Sequence, residues 1–164
     1  MVANKDSDTT FTLPSDREIV MTRVFDAPRH LVFDAWTKPE HLVRWFGRRG
    51  DTMTVCEVDL RVGGTWRFVW RLRAGTELGM KGVYREIVPP ERLVYTETFE
   101  GPYFEEMGAG INTLTFEEHD GKTTLTATAL YKSREIRDAV IQSGMEAGAA
   151  ESLDRLAELL QTMA

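Results

Sequence analysis

The stretch that decides the fold is SREIRDAVIQSGMEAGAAESLDRLAELLQTMA, residues 133–164. Its apolar and small residues recur at helical spacing, which predicts one long amphipathic helix. The middle of the apolar stripe is small: Gly148, Ala149 and Ser152 follow Met145 along the same face. A glycine inside a helix costs about 1 kcal/mol relative to alanine. The stripe therefore predicts either a helix lying very close to its neighbours or a helix covering an empty space.

The chain before this helix reads as strands joined by short turns. Hairpin-length connections, with Asp120-Gly121 as the clearest turn, predict antiparallel pairing. The predicted fold class is α+β: a curved antiparallel sheet of about six to seven strands around one long C-terminal helix, with two short helices after the first strand. Residues 1–14 are predicted to be a flexible N-terminal arm and residues 15–164 a single domain. The predicted elements are a strand at 17–26, helices at 28–36 and 40–45, and strands at 52–60, 65–73, 78–88, 92–100, 111–118 and 123–131.

Composition excludes several classes of function. The net charge of −6 makes nucleic acid and anionic membranes poor partners. The N-terminus lacks the apolar core of a signal peptide, and no apolar run approaches the about 20 residues of a membrane span. We therefore expect a cytoplasmic protein without membrane insertion, and the sequence leaves a homodimer open. The three histidines and Cys56 fit no metal motif, so neither a metal nor a cofactor is expected.

Aromatic side chains share the inward faces of neighbouring strands and of the two short helices. Together with the small helix stripe they predict an apolar small-molecule pocket, although ordinary core is the competing interpretation for each one alone. The loop at 101–110, with Tyr103 and Phe104, is a candidate lid. The predicted pocket residues are Trp36, Trp45, Trp66, Phe68, Trp70, Tyr84, Tyr95, Glu97, Phe99, Met145, Gly148, Ala149 and Ser152.

Glu97 is the best candidate for chemistry. It alternates with Tyr95 and Phe99 on one strand face. A carboxyl group facing an apolar cavity has a raised pKa and can hydrogen-bond a ligand or act as a base. The competing interpretation places Glu97 at the cavity mouth or beneath an arginine.

Four stretches carry a resemblance to a known family. They are RVFDAPRHLVFDAWTKPEHLVRWFG at 23–47, DLRVGGTWRF at 59–68, GVYREIVPPERLVY at 82–95 and GMEAGAAESLDRL at 144–156. They resemble bacterial single-domain proteins named for the activator of the Hsp90 chaperone ATPase, in the superfamily of START domains, birch-pollen allergens and polyketide cyclases. The resemblance implies the helix-grip fold and favours a cavity under the helix. Many such proteins have a tryptophan where this chain has Ala149, so we expect a larger or more open cavity here.

Three functions are compatible with these observations. The first is binding of a small hydrophobic molecule, aromatic or lipid-like, with Glu97 or Tyr84 as the polar anchor. The second is a cyclase- or hydratase-type enzyme in which Glu97 moves a proton. The third, implied by the family resemblance, is a protein partner of the Hsp90 ATPase. It ranks last because the eukaryotic activator has a further N-terminal domain for which this chain has no room.

Overall fold

A single antiparallel sheet dominates the computed structural model, which describes residues 8–163. Its strand order is β1-β2-β8-β7-β6-β5-β4-β3. This confirms the predicted α+β architecture, with one strand more than the largest predicted number. The strands are β1 (Thr10–Thr12), β2 (Glu18–Phe25), β3 (Thr52–Val58), β4 (Thr65–Arg71), β5 (Glu77–Val88), β6 (Arg92–Phe99), β7 (Gly110–His119) and β8 (Lys122–Leu130).

The additional strand, β1, lies in the segment predicted to be a flexible arm. Phe11 pairs with Met21 of β2, and its side chain is buried beside Ile19 and Ala150. Burial of one large aromatic side chain stabilises this three-residue strand. The prediction of a loose chain is therefore wrong for Thr10–Thr12, whereas residues 1–7 lie outside the described residues.

The predicted C-terminal helix is two helices. They follow the short helices α1 (Arg29–Thr37), α2 (Pro39–Trp45) and α3 (Pro102–Met107), and are α4 (Arg134–Gln142) and α5 (Met145–Met163). The Ser133 hydroxyl accepts a hydrogen bond from the N–H of Ile136 and caps α4. Gly144 ends the run with a φ of +86°, a left-handed conformation that glycine adopts at little cost. Prediction of one continuous helix was wrong at this glycine.

Helix α5 lies across the inward face of the sheet. Its C-terminal part packs Leu153, Leu156 and Leu160 into a core shared with Phe25 and Phe116. These side chains are buried almost completely, as expected for the apolar stripe of a packed helix. Among the described residues, no helix is long and apolar enough to cross a membrane.

Candidate ligand-binding site

A cavity of about 330 Å³ lies between the sheet and the N-terminal half of α5. This volume falls at the lower end of the range of small-molecule sites in proteins. The cavity is lined by α5, by strands β2 and β4 to β8, by the segment that follows α2, and by single residues of α1, α2 and α4. Ten of the predicted pocket residues line it: Trp36, Trp45, Trp70, Tyr95, Glu97, Phe99, Met145, Gly148, Ala149 and Ser152.

Small residues on both walls keep this space open. Gly148 and Ala149 line it on the helix, and Ala127 and Ala129 face them from β8. Earlier on β8, at the same alternation, Leu125 is completely buried in the core. The change from leucine to alanine along one strand marks where the packed core ends and the cavity begins.

Three of the predicted residues lie beyond the cavity. Trp66, Phe68 and Tyr84 point to the inner side of the sheet, as alternation predicts, but on that side they surround a void of about 20 Å³. The rings of Trp66 and Phe68 lie 4.8 Å apart, and Trp66 packs edge-on against Tyr95 at 5.6 Å. These three side chains are core, so their assignment to the cavity wall is corrected.

The carboxyl group of Glu97 lies inside the cavity, whereas that of Asp51 lines it from the segment after α2. The side-chain amide of Asn112 donates a hydrogen bond to its Oε2 atom. Within the described residues the second oxygen has no hydrogen-bond partner, and it retains accessible surface. Burial raises the pKa of Glu97 above its ordinary value of 4.5, and the hydrogen bond from Asn112 offsets part of that rise.

Two phenols share this polar end of the cavity with Glu97. Tyr95 and Tyr131 both line the cavity, and burial together with the negative charge of Glu97 raises their pKa values. Neither hydroxyl forms a hydrogen bond within residues 8–163. They remain protonated at neutral pH and can donate to a ligand oxygen.

Asn112 and Tyr131 did not emerge from the sequence, although a signal for each was present. Asn112 lies on the same face of β7 as the buried Leu114 and Phe116, so it is a polar residue in a row of inward apolar side chains. Tyr131 continues the row that contains Ala127 and Ala129. A search for polar residues on inward rows finds both.

Ser152 lines the cavity, but its hydroxyl has a structural role. It accepts a hydrogen bond from the N–H of Gly47 at 3.0 Å and donates to the carbonyl oxygen of Trp45 at 3.3 Å. One turn later, Arg155 donates to the carbonyl oxygens of Arg44 and Gly47 at 2.8 and 2.9 Å. These bonds fix the segment after α2, residues 46–51, onto α5. We call this segment the rim loop.

The rim loop also makes close contact with the sheet. The indole N–H of Trp70 donates to the carbonyl oxygen of Phe46 at 2.9 Å. A Cβ atom on Gly47 would lie 2.6 Å from that indole nitrogen, and Gly47 has a φ of +117°. Glycine is therefore required here by both space and backbone conformation. The loop forms a firm edge to the cavity.

The segment predicted as a lid forms helix α3, and none of its residues lines the cavity. Phe104 contacts Phe99 with the rings 5.5 Å apart, whereas Tyr103 is largely exposed. Glu105 holds the helix through an ion pair with Lys81 and a hydrogen bond from the N–H of Gly101. Helix α3 therefore adjoins the cavity only through Phe99, and its role as a lid stays a prediction.

Other candidate chemistry is weak. Burial raises the pKa of the Cys56 thiol to about 11, so it is a poor nucleophile at neutral pH. Among residues 8–163, no cluster of histidine, cysteine and carboxylate side chains has the arrangement of a metal site. A shallow groove of about 530 Å³ on the outer face of β3 to β6 is larger than the cavity. Its arginine and lysine, Arg67 and Lys81, are paired with Glu100 and Glu105. The inner cavity therefore offers the better site.

Comparison with known proteins agrees with this architecture. The profile of the family described as activator of Hsp90 ATPase homolog 1-like protein matches residues 26–161. The chain belongs to this family. Among curated proteins, none matches it significantly. Ala149, the position where many members of this family are expected to have a tryptophan, lines the cavity.

Solved structures show the same fold. A protein from Rhodobacter sphaeroides is 28% identical, with a TM-score of 0.85 over 95% of this chain and 99% of the other. A Chromobacterium violaceum protein is 29% identical, with a TM-score of 0.79 over 89% and 98% of the two chains. A third, from Nitrosomonas europaea, shares 22% identity and a TM-score of 0.82 over 92% and 98%, and is similar in fold alone.

Proposed function

We propose that this protein is a cytoplasmic binding protein for a small hydrophobic molecule, aromatic or lipid-like, held between α5 and the sheet. One observation carries the proposal: an aromatic, apolar cavity of about 330 Å³ encloses the carboxyl group of Glu97, one oxygen of which has no hydrogen-bond partner among the described residues. Apolar walls with a few oriented polar groups are the usual composition of a small-molecule site.

The polar end determines how the ligand is oriented. The bond from Asn112 fixes the carboxyl plane of Glu97. Its free oxygen and the hydroxyls of Tyr95 and Tyr131 then provide hydrogen-bonding positions that only a ligand or water can fill. Burial of an unpaired polar group costs about 1–3 kcal/mol, so a ligand that satisfies these groups is preferred over a hydrocarbon of the same size.

A titration with a panel of fatty acids, flavonoids and polyketide-like aromatics tests this function. We expect saturable quenching of tryptophan fluorescence, and amide NMR shifts at Asn112, Ala129 and Gly148. Val83 and Thr98, on the outer groove, are the internal controls. Shifts confined to these two residues, or no shift with any compound, would contradict binding in the cavity.

Glu97 also supports a second candidate function, acid–base catalysis of the cyclase or hydratase type. A buried carboxyl group with a raised pKa is better suited to accepting and donating a proton than an ordinary surface carboxyl group. Once a ligand is identified, Glu97→Gln should leave its binding within about threefold but abolish turnover. Turnover that survives this substitution excludes Glu97 as the proton-transfer group.

A further inference from the structure

Arg48 places a positive charge where the cavity meets solvent. It lines the cavity, yet its side chain is exposed. Within residues 8–163 its guanidinium group forms no ion pair and no hydrogen bond. By contrast, the adjacent Arg49 is paired with Glu158. The guanidinium group of Arg48 is therefore available to donate hydrogen bonds to a ligand at the entrance of the cavity.

The side chain of Arg48 runs past Gly148 of α5. A Cβ atom on Gly148 would lie 3.4, 3.8 and 3.9 Å from the Nε, Cδ and Cγ atoms of Arg48. The arginine stem thus runs along the bare backbone of the helix, which leaves its head at the edge of the cavity. A Cβ at these distances would make ordinary van der Waals contact, so the side chain of Arg48 follows the helix surface closely at this point.

The backbone that carries Arg48 is held in place without using its side chain. Ser152 and Arg155 of α5 bind the N–H and the carbonyl oxygen of Gly47, and Glu151 accepts a hydrogen bond from the N–H of Arg49 at 2.6 Å. Asp51 is the acidic residue of the rim loop that lines the cavity, and its Oδ1 accepts the N–H of Arg73 at 3.0 Å. A cation carried on a fixed backbone beside an apolar cavity is suited to an anionic group.

We infer that the ligand is an anionic amphiphile, whose apolar body fills the cavity and whose acidic group binds Arg48 at the rim. The inference rests on the proposed function, since the apolar body must occupy the cavity first. Arginine binds carboxylate, sulfonate and phosphate through two parallel hydrogen bonds, which specifies the class of head group. The interior acid, Glu97, would disfavour insertion with the anionic end first, so the two charges together set one orientation.

Two fluorescent probes separate the head group from the body. 1-Anilinonaphthalene-8-sulfonate and N-phenyl-1-naphthylamine share one aromatic skeleton, and only the first carries a sulfonate. We expect Arg48→Gln to weaken binding of the sulfonate probe about three- to tenfold, as for a partly exposed charge-assisted contact. Binding of the neutral probe should change less than twofold. Higher ionic strength should weaken only the sulfonate probe.

Arg44→Gln is the matched control. It removes the same positive charge, but Arg44 is exposed on α2 and does not line the cavity. The inference is overturned if Arg48→Gln weakens both probes equally, weakens neither, or acts no more strongly than Arg44→Gln. These outcomes leave the proposed function intact as long as the neutral probe binds the wild type. Failure of the neutral probe to bind overturns the proposed function and this inference together.

Discussion

The two halves of α5 rest on the same sheet, but they cover different things. Residues 153–160, the filled half, bury Leu156 and Leu160 in the main core. Residues 145–152, the hollow half, present Gly148 and Ala149 to the cavity. The strands below change with the helix, from Leu125 to Ala129 along β8. The comparison shows that one amphipathic helix serves stability at one end and binding at the other.

Shortening a side chain to alanine should affect the free energy of unfolding much more in the filled half than in the hollow half. Leu156→Ala removes a completely buried side chain and should lower the free energy of unfolding by about 2–5 kcal/mol. Met145→Ala, in the hollow half, should cost at least about 1 kcal/mol less, because Met145 is half-buried and already borders empty space. Urea denaturation with an unchanged slope measures both. Equal costs would mean that the cavity is closed by packing in solution.

Filling the hollow half should remove binding while preserving the fold. Ala149→Trp places an indole in the cavity, and we expect it to weaken the neutral naphthylamine probe at least tenfold, or about 1.4 kcal/mol. The free energy of unfolding should change by no more than about 1.5 kcal/mol, since the added side chain enters existing space.

The matched control for that substitution is Ala147→Trp, on the exposed side of the same helix. It adds the same side chain without entering the cavity, and its probe affinity should equal that of the wild type. Binding that survives Ala149→Trp would place the probe outside the cavity and would contradict the role assigned to the hollow half.

The pH dependence of stability tests the acid in the hollow half. Because burial raises the pKa of Glu97 in the folded state above 4.5, its contribution to stability is complete below about pH 4.5 and is lost as pH rises through the folded pKa. The unfolding free energy of the wild type minus that of Glu97→Gln should therefore fall as pH rises from 4 to 8. Asn112→Leu should extend this fall to higher pH, since the hydrogen bond from Asn112 lowers the pKa.

Glu117→Gln, at an exposed position of β7, controls for the loss of one negative charge. A difference between wild type and Glu97→Gln that stays constant with pH would show that the carboxyl is as well hydrated in the folded protein as in the unfolded chain. The hollow half would then be filled with water rather than apolar.

The sequence predicts which faces turn inward better than how far the cavity extends. Alternation assigns Trp66 and Trp70 to the same face, and both do point inward. It does not give their position along the strand relative to α5, so Trp66 was assigned to the wall although it packs in the core. That boundary depends on where leucine gives way to alanine on another strand, a contact between elements distant in the chain.

The features that the sequence does not predict lie mostly in segments without a repeating pattern of apolar residues. Arg48 lies in a loop, and its approach to Gly148 across the chain leaves no signal in the order of residues. Strand β1 has three residues, too few for an alternation pattern. The glycine at 144 did carry a signal, because glycine is the usual residue just after a helix end, but the apolar stripe continues past it.

The smallest expected effects come from Gly144, which precedes α5, and Gly148, which lies within it. Gly144→Ala forces a left-handed φ on alanine and should cost about 1 kcal/mol. Gly148→Ala should stabilise the protein by up to about 1 kcal/mol, because the residue is helical and its Cβ would meet only the side chain of Arg48, at 3.4 Å. Thermal and urea unfolding of both variants measure the difference. If Gly148→Ala destabilises, the glycine serves close packing rather than the cavity, and the hollow half would need another explanation.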